Sequence, residues 1–262
     1  MLIDKKEKQI GDEYLNTGYV IQDISDKKSL DWIKNFYCKL IKKTLPSIKE
    51  NSSDDILNNI HKYLSVSKLN QFRLKLINEI NENQTLRENF YKISKPLLDV
   101  VAGNELAMQK KISLSIQFPK DDSSLLPVHA DTWTGVSPFE TVIWLPLIDC
   151  YKTKSMFILP SSKNNKLSKI FSKKNIKNSK DIYNKIKKDL IWLKVKYGQI
   201  VIFDHSLPHG NIINKESETR WTMNCRFKGL FTPYKDKRIG EYYEPITIKP
   251  ATRRGINYKF PK

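Results

Sequence analysis

Lys111-Ile112-Ser113-Leu114-Ser115-Ile116-Gln117-Phe118 is where the chain changes character. Ile112, Leu114, Ile116 and Phe118 alternate with Ser113, Ser115 and Gln117. Successive side chains of an extended strand point to opposite faces, so this octapeptide reads as a half-buried strand with one polar face.

Upstream of it the apolar period is close to 3.6. Leu30, Ile33, Phe36 and Leu40 recur at three- and four-residue steps behind Ser29, which is suited to cap a helix that Pro46 ends or bends. Ser52-Ser53-Asp54-Asp55 opens a second helix carrying Ile56, Ile60 and Leu64, and Leu69, Phe72, Leu76, Ile77 and Ile80 stripe a third. Residues 86–101 form a fourth, with Pro96 expected to kink or break it. His61 has neither a carboxylate nor a second histidine beside it and reads as a solvated helix histidine. Residues 1–25 are mixed, with a short edge strand at Tyr19-Val20-Ile21.

Downstream the pattern is of strands: residues 141–147, 155–159, 191–196, 199–204 and 219–228. In the last of these Trp221, Met223, Cys225 and Phe227 form an oily face. Arg220, Thr222, Asn224, Arg226 and Lys228 form a polar, cationic one, as the mouth of a barrel that holds an anion requires. Residues 163–190, rich in Lys, Asn and Ser with Ile170, Ile182 and Ile186 scattered among them, read as an exposed insertion carrying a short helix. The tail from Thr232 has aromatics and prolines without a period and is expected to wrap the surface. The expectation is an α+β chain: a mainly helical layer over residues 1–105, packed on a double-stranded β-helix (jelly-roll, cupin-like) core over residues 106–262.

Composition narrows the function. The 262 residues are 39% hydrophobic and 28% charged, the balance of a folded protein. The longest apolar run, residues 141–148, is strand-sized, and Met1-Leu2-Ile3-Asp4-Lys5-Lys6 lacks the apolar core of a signal peptide. Together these predict a cytoplasmic protein with no membrane partner. Cys38, Cys150 and Cys225 are odd in number and widely spaced, as reduced, buried thiols are. The net charge of +18 is mostly lysine spread along the whole chain. No recognition motif or Arg/aromatic cluster accompanies it, which argues against a nucleic-acid partner. An anionic small-molecule substrate, such as a nucleotide-linked sugar, is compatible with it.

The chemistry is concentrated in Val128-His129-Ala130-Asp131-Thr132 and, about eighty residues later, Pro208-His209-Gly210. On an extended segment His129 and Asp131 project the same way. A second imidazole, from His209, completes two histidines and one carboxylate, a set that suits non-haem Fe(II) and leaves positions open for a co-substrate and O2. His205 lies four residues before His209, but Pro208 and Gly210 argue against a helix that would pair them. His205 is expected near the rim or beside a carboxylate.

Taken together, His129 to Asp131, Pro160-Ser161-Ser162, residues 198–203, His209-Gly210, Asn214 and Arg220 resemble the phytanoyl-CoA-dioxygenase-like group of Fe(II)/2-oxoglutarate oxygenases. The stretches 127–132 and 137–147, with Glu244-Pro245-Ile246-Thr247 and Pro250-Ala251-Thr252-Arg253-Arg254-Gly255, are similar to the oxygenases of bacterial carbohydrate clusters. The likeness covers about residues 105–262. It implies His129, Asp131 and His209 as metal ligands and catalytic centre, and 2-oxoglutarate as co-substrate. It also implies that Arg220, eleven residues after His209, grips the distal carboxylate of 2-oxoglutarate. Arg226, on the same face, is the second candidate for that grip or for an anionic substrate, and Gln117, Thr132 and Trp144 are candidates to line the pocket. The implied activity is hydroxylation of a sugar, nucleotide sugar or saccharide-derived substrate in a bacterial carbohydrate biosynthesis pathway. The alternatives are a non-catalytic jelly roll that binds a nucleotide sugar, and a metal-independent epimerase using His129 as base and a tyrosine as acid.

Overall fold

A computed structural model describes residues 4–164, 167, 171 and 177–261. Five helices come first: α1 (Lys5–Thr17), α2 (Lys27–Thr44), α3 (Ser53–Asn59), α4 (Val66–Glu82) and α5 (Gln84–Val101), with β1 (Tyr19–Asp23) between the first two. Nine further strands follow among the described residues: β2 (Leu106–Gln109), β3 (Ser113–Gln117), β4 (Glu140–Pro146), β5 (Phe157–Ile158), β6 (Ile191–Trp192), β7 (Gln199–Phe203), β8 (His209–Gly210), β9 (Arg220–Gly229) and β10 (Tyr243–Pro245). Short helices α6 (Ser161–Asn164), α7 (Ser179–Ile186) and α8 (Pro250–Ile256), with 3-10 turns at Ile60–Lys62, Asp131–Thr134 and Lys152–Lys154, complete the described elements.

The strands form two sheets. The larger runs β1-β7-β4-β9-β2-β10, with β3 also paired to β9. Thus β2 and β3 lie along one edge of β9, Leu106 opposite Gly229 and Gln117 opposite Arg220. The smaller sheet is β6-β5-β8. This is the double-stranded β-helix with a helical layer on its outer face.

Alternation sorts the side chains between two cores. Trp221, Met223, Cys225 and Phe227 of β9 join Ile143 and Leu145 of β4 and Ile200 and Ile202 of β7 beneath the helices, against Ile33, Tyr37, Leu57, Phe72 and Phe90. The opposite faces of β4 and β7, Val142, Trp144, Val201 and Phe203, pack between the sheets with Met156, Ile158 and Leu193. Every residue of β4 is therefore buried, although its sequence lacks strict alternation. Trp221 Nε1–H also donates to the Leu57 carbonyl at 2.8 Å, pinning α3 to the sheet.

Several expectations need correction. The opening residues include a full helix, α1, capped by a reciprocal Asp4–Glu7 box. It buries Ile10 and shows no wide apolar stripe, so periodicity passed over it. Helix α2 is capped by Asp26, whose carboxylate accepts from the Ser29 N–H, and Ser29 is already inside it. Helix α5 continues through Pro96 without a break. The strands at 155–159 and 191–196 form a ladder with each other over Phe157–Ile158 and Ile191–Trp192, and Val195 makes an isolated bridge to Cys150. The tail forms β10 on the large sheet and helix α8. His61 is half-buried, its Nδ1 2.9 Å from Thr219 Oγ1. In the Lys-rich insertion α7 buries Ile182 and Ile186, whereas Ile170 lies outside the described residues. All three cysteines are free and buried. No helix among the described residues is long and apolar enough to cross a membrane.

Candidate metal centre

The backbone brings the two imidazoles together. The His129 N–H donates to the His209 carbonyl at 3.0 Å and the His209 N–H to the His129 carbonyl at 2.8 Å, an antiparallel bridge. The ring centroids are 4.4 Å apart. Ala130 is extended (φ −124°, ψ 136°), so His129 and Asp131 leave the chain on one side before it turns into a 3-10 helix, Asp131–Thr134.

Each ring has one nitrogen committed. His129 Nδ1 lies 2.8 Å from the Pro127 carbonyl and His209 Nδ1 lies 2.8 Å from the Leu207 carbonyl. A carbonyl oxygen only accepts, so both Nδ1 atoms carry a proton, and in the neutral form of such a ring the lone pair is on Nε2. His129 Nε2 is 3.6 Å from Asp131 Oδ1. One donor atom from each of His129, Asp131 and His209 lies within 4.8 Å of the others. Among the described residues no other group of three or more His, Cys, Asp or Glu side chains could hold a metal ion.

The two carboxylate oxygens of Asp131 have different surroundings. Oδ2 accepts from Arg226 Nη2 at 2.5 Å and Nε at 3.2 Å, and from His205 Nδ1 at 3.3 Å. Burial alone would raise this carboxyl. The His205 hydrogen bond, with Arg226 and His209, outweighs burial and holds the group well below the usual carboxylate range. Oδ1 is left facing the histidines. His209 is pushed down to about 4 by burial and by His129 beside it, so its imidazole is neutral at pH 7, the form that ligates a metal.

A cavity of about 100 Å³ opens from this point, lined by Asn224, Thr222 and Arg220 of β9, Ser115 of β3 and Val142 and Trp144 of β4, among others. At its end Arg220 is 3% exposed. Its Nη2 donates to Ser115 Oγ at 2.9 Å and its Nη1 to the Ser155 carbonyl at 3.3 Å. Among the described residues no carboxylate reaches it. Its Nε and the neighbouring Ser155 Oγ are buried without a hydrogen-bond partner among the described residues. Burial pushes the guanidinium down to about 10, which leaves it charged at neutral pH.

Of the residues singled out in the sequence, His129, Asp131, His209, Arg220, Arg226 and Trp144 meet at this cavity. Gln117 and Thr132 are not on its wall. Gln117 is wholly buried and spends its amide on the Ile212 carbonyl and Asn211. Arg226 is paired with Asp131, whereas no ion pair engages Arg220 among the described residues. His205 is fully buried beside Asp131, away from any rim, and its Nε2 lies 2.9 Å from the Ser137 carbonyl oxygen. Thr222, Asn224 and Ser115 were signalled only as members of polar strand faces. Asn211, Leu126 and Met156 line the cavity with no signal in the sequence.

No protein-family model and no curated protein matches the sequence. Solved structures do match. The apo form of the non-heme monooxygenase ThoJ superposes with a TM-score of 0.57 at 10% identity, covering 91% of this chain and 84% of that one. The alpha ketoglutarate dependent epimerase SnoN from nogalamycin biosynthesis, in complex with Fe3+, alpha ketoglutarate and nogalamycin RO, gives 0.53 at 14% identity, covering 92% and 93%. AviO1 from Streptomyces viridochromogenes Tue57 gives 0.53 at 15% identity, covering 88% and 98%. At such identities the likeness is one of fold: this chain has the double-stranded β-helix that these proteins share.

Proposed function

We propose that the chain is an Fe(II)- and 2-oxoglutarate-dependent oxygenase that hydroxylates a small-molecule substrate, a sugar, nucleotide sugar or other saccharide-derived compound of a bacterial carbohydrate biosynthesis pathway. One observation carries the reading: two imidazoles and one carboxylate converge on a cavity whose far end holds a buried arginine with no counter-anion among the described residues. The donor set fits a divalent iron. Both histidines offer a free Nε2 lone pair, and one oxygen of Asp131 is left for a metal. The unpartnered Arg220 Nε and Ser155 Oγ fit a carboxylate that would satisfy them. The likeness to a 2-oxoglutarate-dependent fold supports the same reading.

His129, Asp131 and His209 would hold the metal, which with 2-oxoglutarate and O2 supplies the oxidation, releasing succinate and CO2 and placing hydroxyl on a substrate C–H. The chain's own contribution is positional. Arg220, steadied by Ser115, fixes the distal carboxylate of the co-substrate. Arg226 and His205 keep Oδ2 of Asp131 occupied, so that Oδ1 alone is presented to the metal. Val142, Trp144, Met156 and Phe203 give the cavity dry walls, which limits unproductive encounters with water. The epimerase alternative needs a tyrosine acid, and no tyrosine is among the residues lining the cavity.

Succinate release scored against a panel of sugar nucleotides and oligosaccharides tests the reading. At least one member should raise release well above the substrate-free rate, and Asp131→Ala should lose most of it. Full activity in Asp131→Ala, or binding of a panel member with no succinate from iron-loaded enzyme, would overturn it; the second result is that of a non-catalytic jelly roll.

A further inference from the structure

Two loops continue from cavity-lining residues, one from Asp131 and one from the Arg226 end of β9, and stand side by side; we take them as the mouth of the cavity. One follows Asp131 and carries Trp133, which is 41% exposed, with Phe171 packed edge-on at 5.1 Å. The other spans residues 230–242 and carries Lys235 and Lys237. They touch at Gly135, where an added Cβ would lie 3.6 Å from Asp236 Oδ2 and 3.9 Å from Lys235 Nζ, and at Ser137, whose hydroxyl donates to the Pro233 carbonyl at 2.9 Å. Lys237 is half-buried, its ammonium 4.6 Å from the ring centre of Tyr242. The Tyr242 hydroxyl in turn accepts from Arg226 Nη1 at 3.3 Å, so Lys237 is one side chain removed from the Asp131–Arg226 pair.

The lysine's isolation is what needs explaining. Lys228 also sits over a tyrosine, 3.6 Å from the ring centre of Tyr234, but its ammonium donates to the Pro233 carbonyl at 2.5 Å and feels Glu140. Lys237 has no hydrogen-bond acceptor and no salt-bridge partner among the described residues. A half-buried ammonium loses hydration, and here only the Tyr242 ring face and carboxylates beyond hydrogen-bond reach offset that loss. Around it three cations, Arg226, Lys228 and Lys237, share two carboxylates, Asp131, which Arg226 holds, and Glu140, which acts on both lysines. The mouth therefore has surplus positive charge, beside an exposed indole.

We infer that this mouth receives a ring-bearing small molecule with one anionic group, a phosphate or a carboxylate, Lys237 taking the anion and Trp133 lying against the ring. Calling that molecule the substrate rests on the oxygenase reading; the subsite itself does not require the metal. An anion here supplies the acceptor that Lys237 lacks, and an indole face suits the C–H face of a sugar as well as an aromatic ring.

The test uses the metal-free full-length chain, with binding followed by titration calorimetry and by tryptophan fluorescence. The probes are glucose 1-phosphate, glucuronate, neutral glucose and inorganic phosphate. One of the two anionic sugars should bind at least about tenfold more tightly than either glucose or phosphate alone, and which one identifies the anion. Lys237→Gln should weaken that probe about tenfold, and Trp133→Phe should remove the fluorescence change; unaltered thermal unfolding shows each variant folded. Equal binding of glucose and the anionic sugars, equal binding of phosphate alone, unchanged affinity in Lys237→Gln, or no binding of either anionic sugar would each overturn the proposal. Because no metal is present, any of these results leaves the iron-binding reading standing, and loss of iron binding would leave this one standing.

Discussion

Asp131 shows how one side chain serves two purposes through its two oxygens. Oδ2 is held by Arg226 and His205, and Oδ1 is left toward the histidines. Removing the guanidinium leaves a buried carboxylate short of its main partner, so Arg226→Leu should cost about 3 kcal/mol in urea unfolding of the metal-free protein. It should also weaken metal binding about tenfold or more in a calorimetric titration, because the ligand loses its orientation. His209 sets a pH dependence. Its folded value, about 4, lies below the ordinary 6.5, so the unfolded chain takes up its proton first as pH falls. The stability tied to its neutral form is whole above about 6.5 and is lost between there and about 4. In thermal melts of the metal-free protein, His209→Gln should flatten that part of the profile. The His129–Asp131 pair was legible because an extended backbone fixes which way alternate side chains point. The roles of Arg226 and His205 were not, because alternation gives the face of a strand and not the partner across the barrel.

At the scale of elements, β9 joins the two halves of the molecule. Its odd-numbered residues from Trp221 to Phe227 support the helices, and its even-numbered residues from Arg220 to Arg226 line the cavity. This division was readable directly from the sequence, since a period of two is the strand's own geometry. Trp221→Ala would empty the space beneath α2, α3 and α4 and strand the Leu57 carbonyl, at a cost of about 4 kcal/mol in denaturant unfolding. Strand β8 is only two residues long and tightly enclosed: a Cβ on Gly210 would stand 2.6 Å from the Leu126 carbonyl oxygen and 3.1 Å from the Pro127 carbonyl carbon. The Pro127 carbonyl orients His129. Gly210→Ala should therefore lower metal affinity as well as stability, which metal titration together with melting would reveal. Such short strands were over-extended in the sequence reading, because apolar runs continue past the point where ladder pairing stops. Helix α1 was missed for the opposite reason: its caps are strong and its apolar face is narrow.

For the molecule as a whole, the helical layer covers one face of the large sheet and the small sheet covers the other, and the site lies in the space between the sheets. Excess lysine runs through the entire chain, so the charge total alone did not locate a subsite; only the loops that bring Lys237 beside Tyr242 do. A ligand that binds only the folded state raises its stability, by about 2.7 kcal/mol at a hundred times its dissociation constant. Manganese(II) with 2-oxoglutarate should raise the melting temperature, and Arg220→Leu should abolish the increment due to 2-oxoglutarate while keeping that due to the metal.

The most direct measurement is the visible absorption spectrum of the protein with Fe(II) and 2-oxoglutarate under anaerobic conditions. The wild-type chain should show a weak metal-to-ligand charge-transfer band, which Asp131→Ala and His209→Ala lose. The absence of any band in wild type, or a band intact in His209→Ala but abolished in His205→Ala, would contradict the assignment of His129, Asp131 and His209 as the iron ligands.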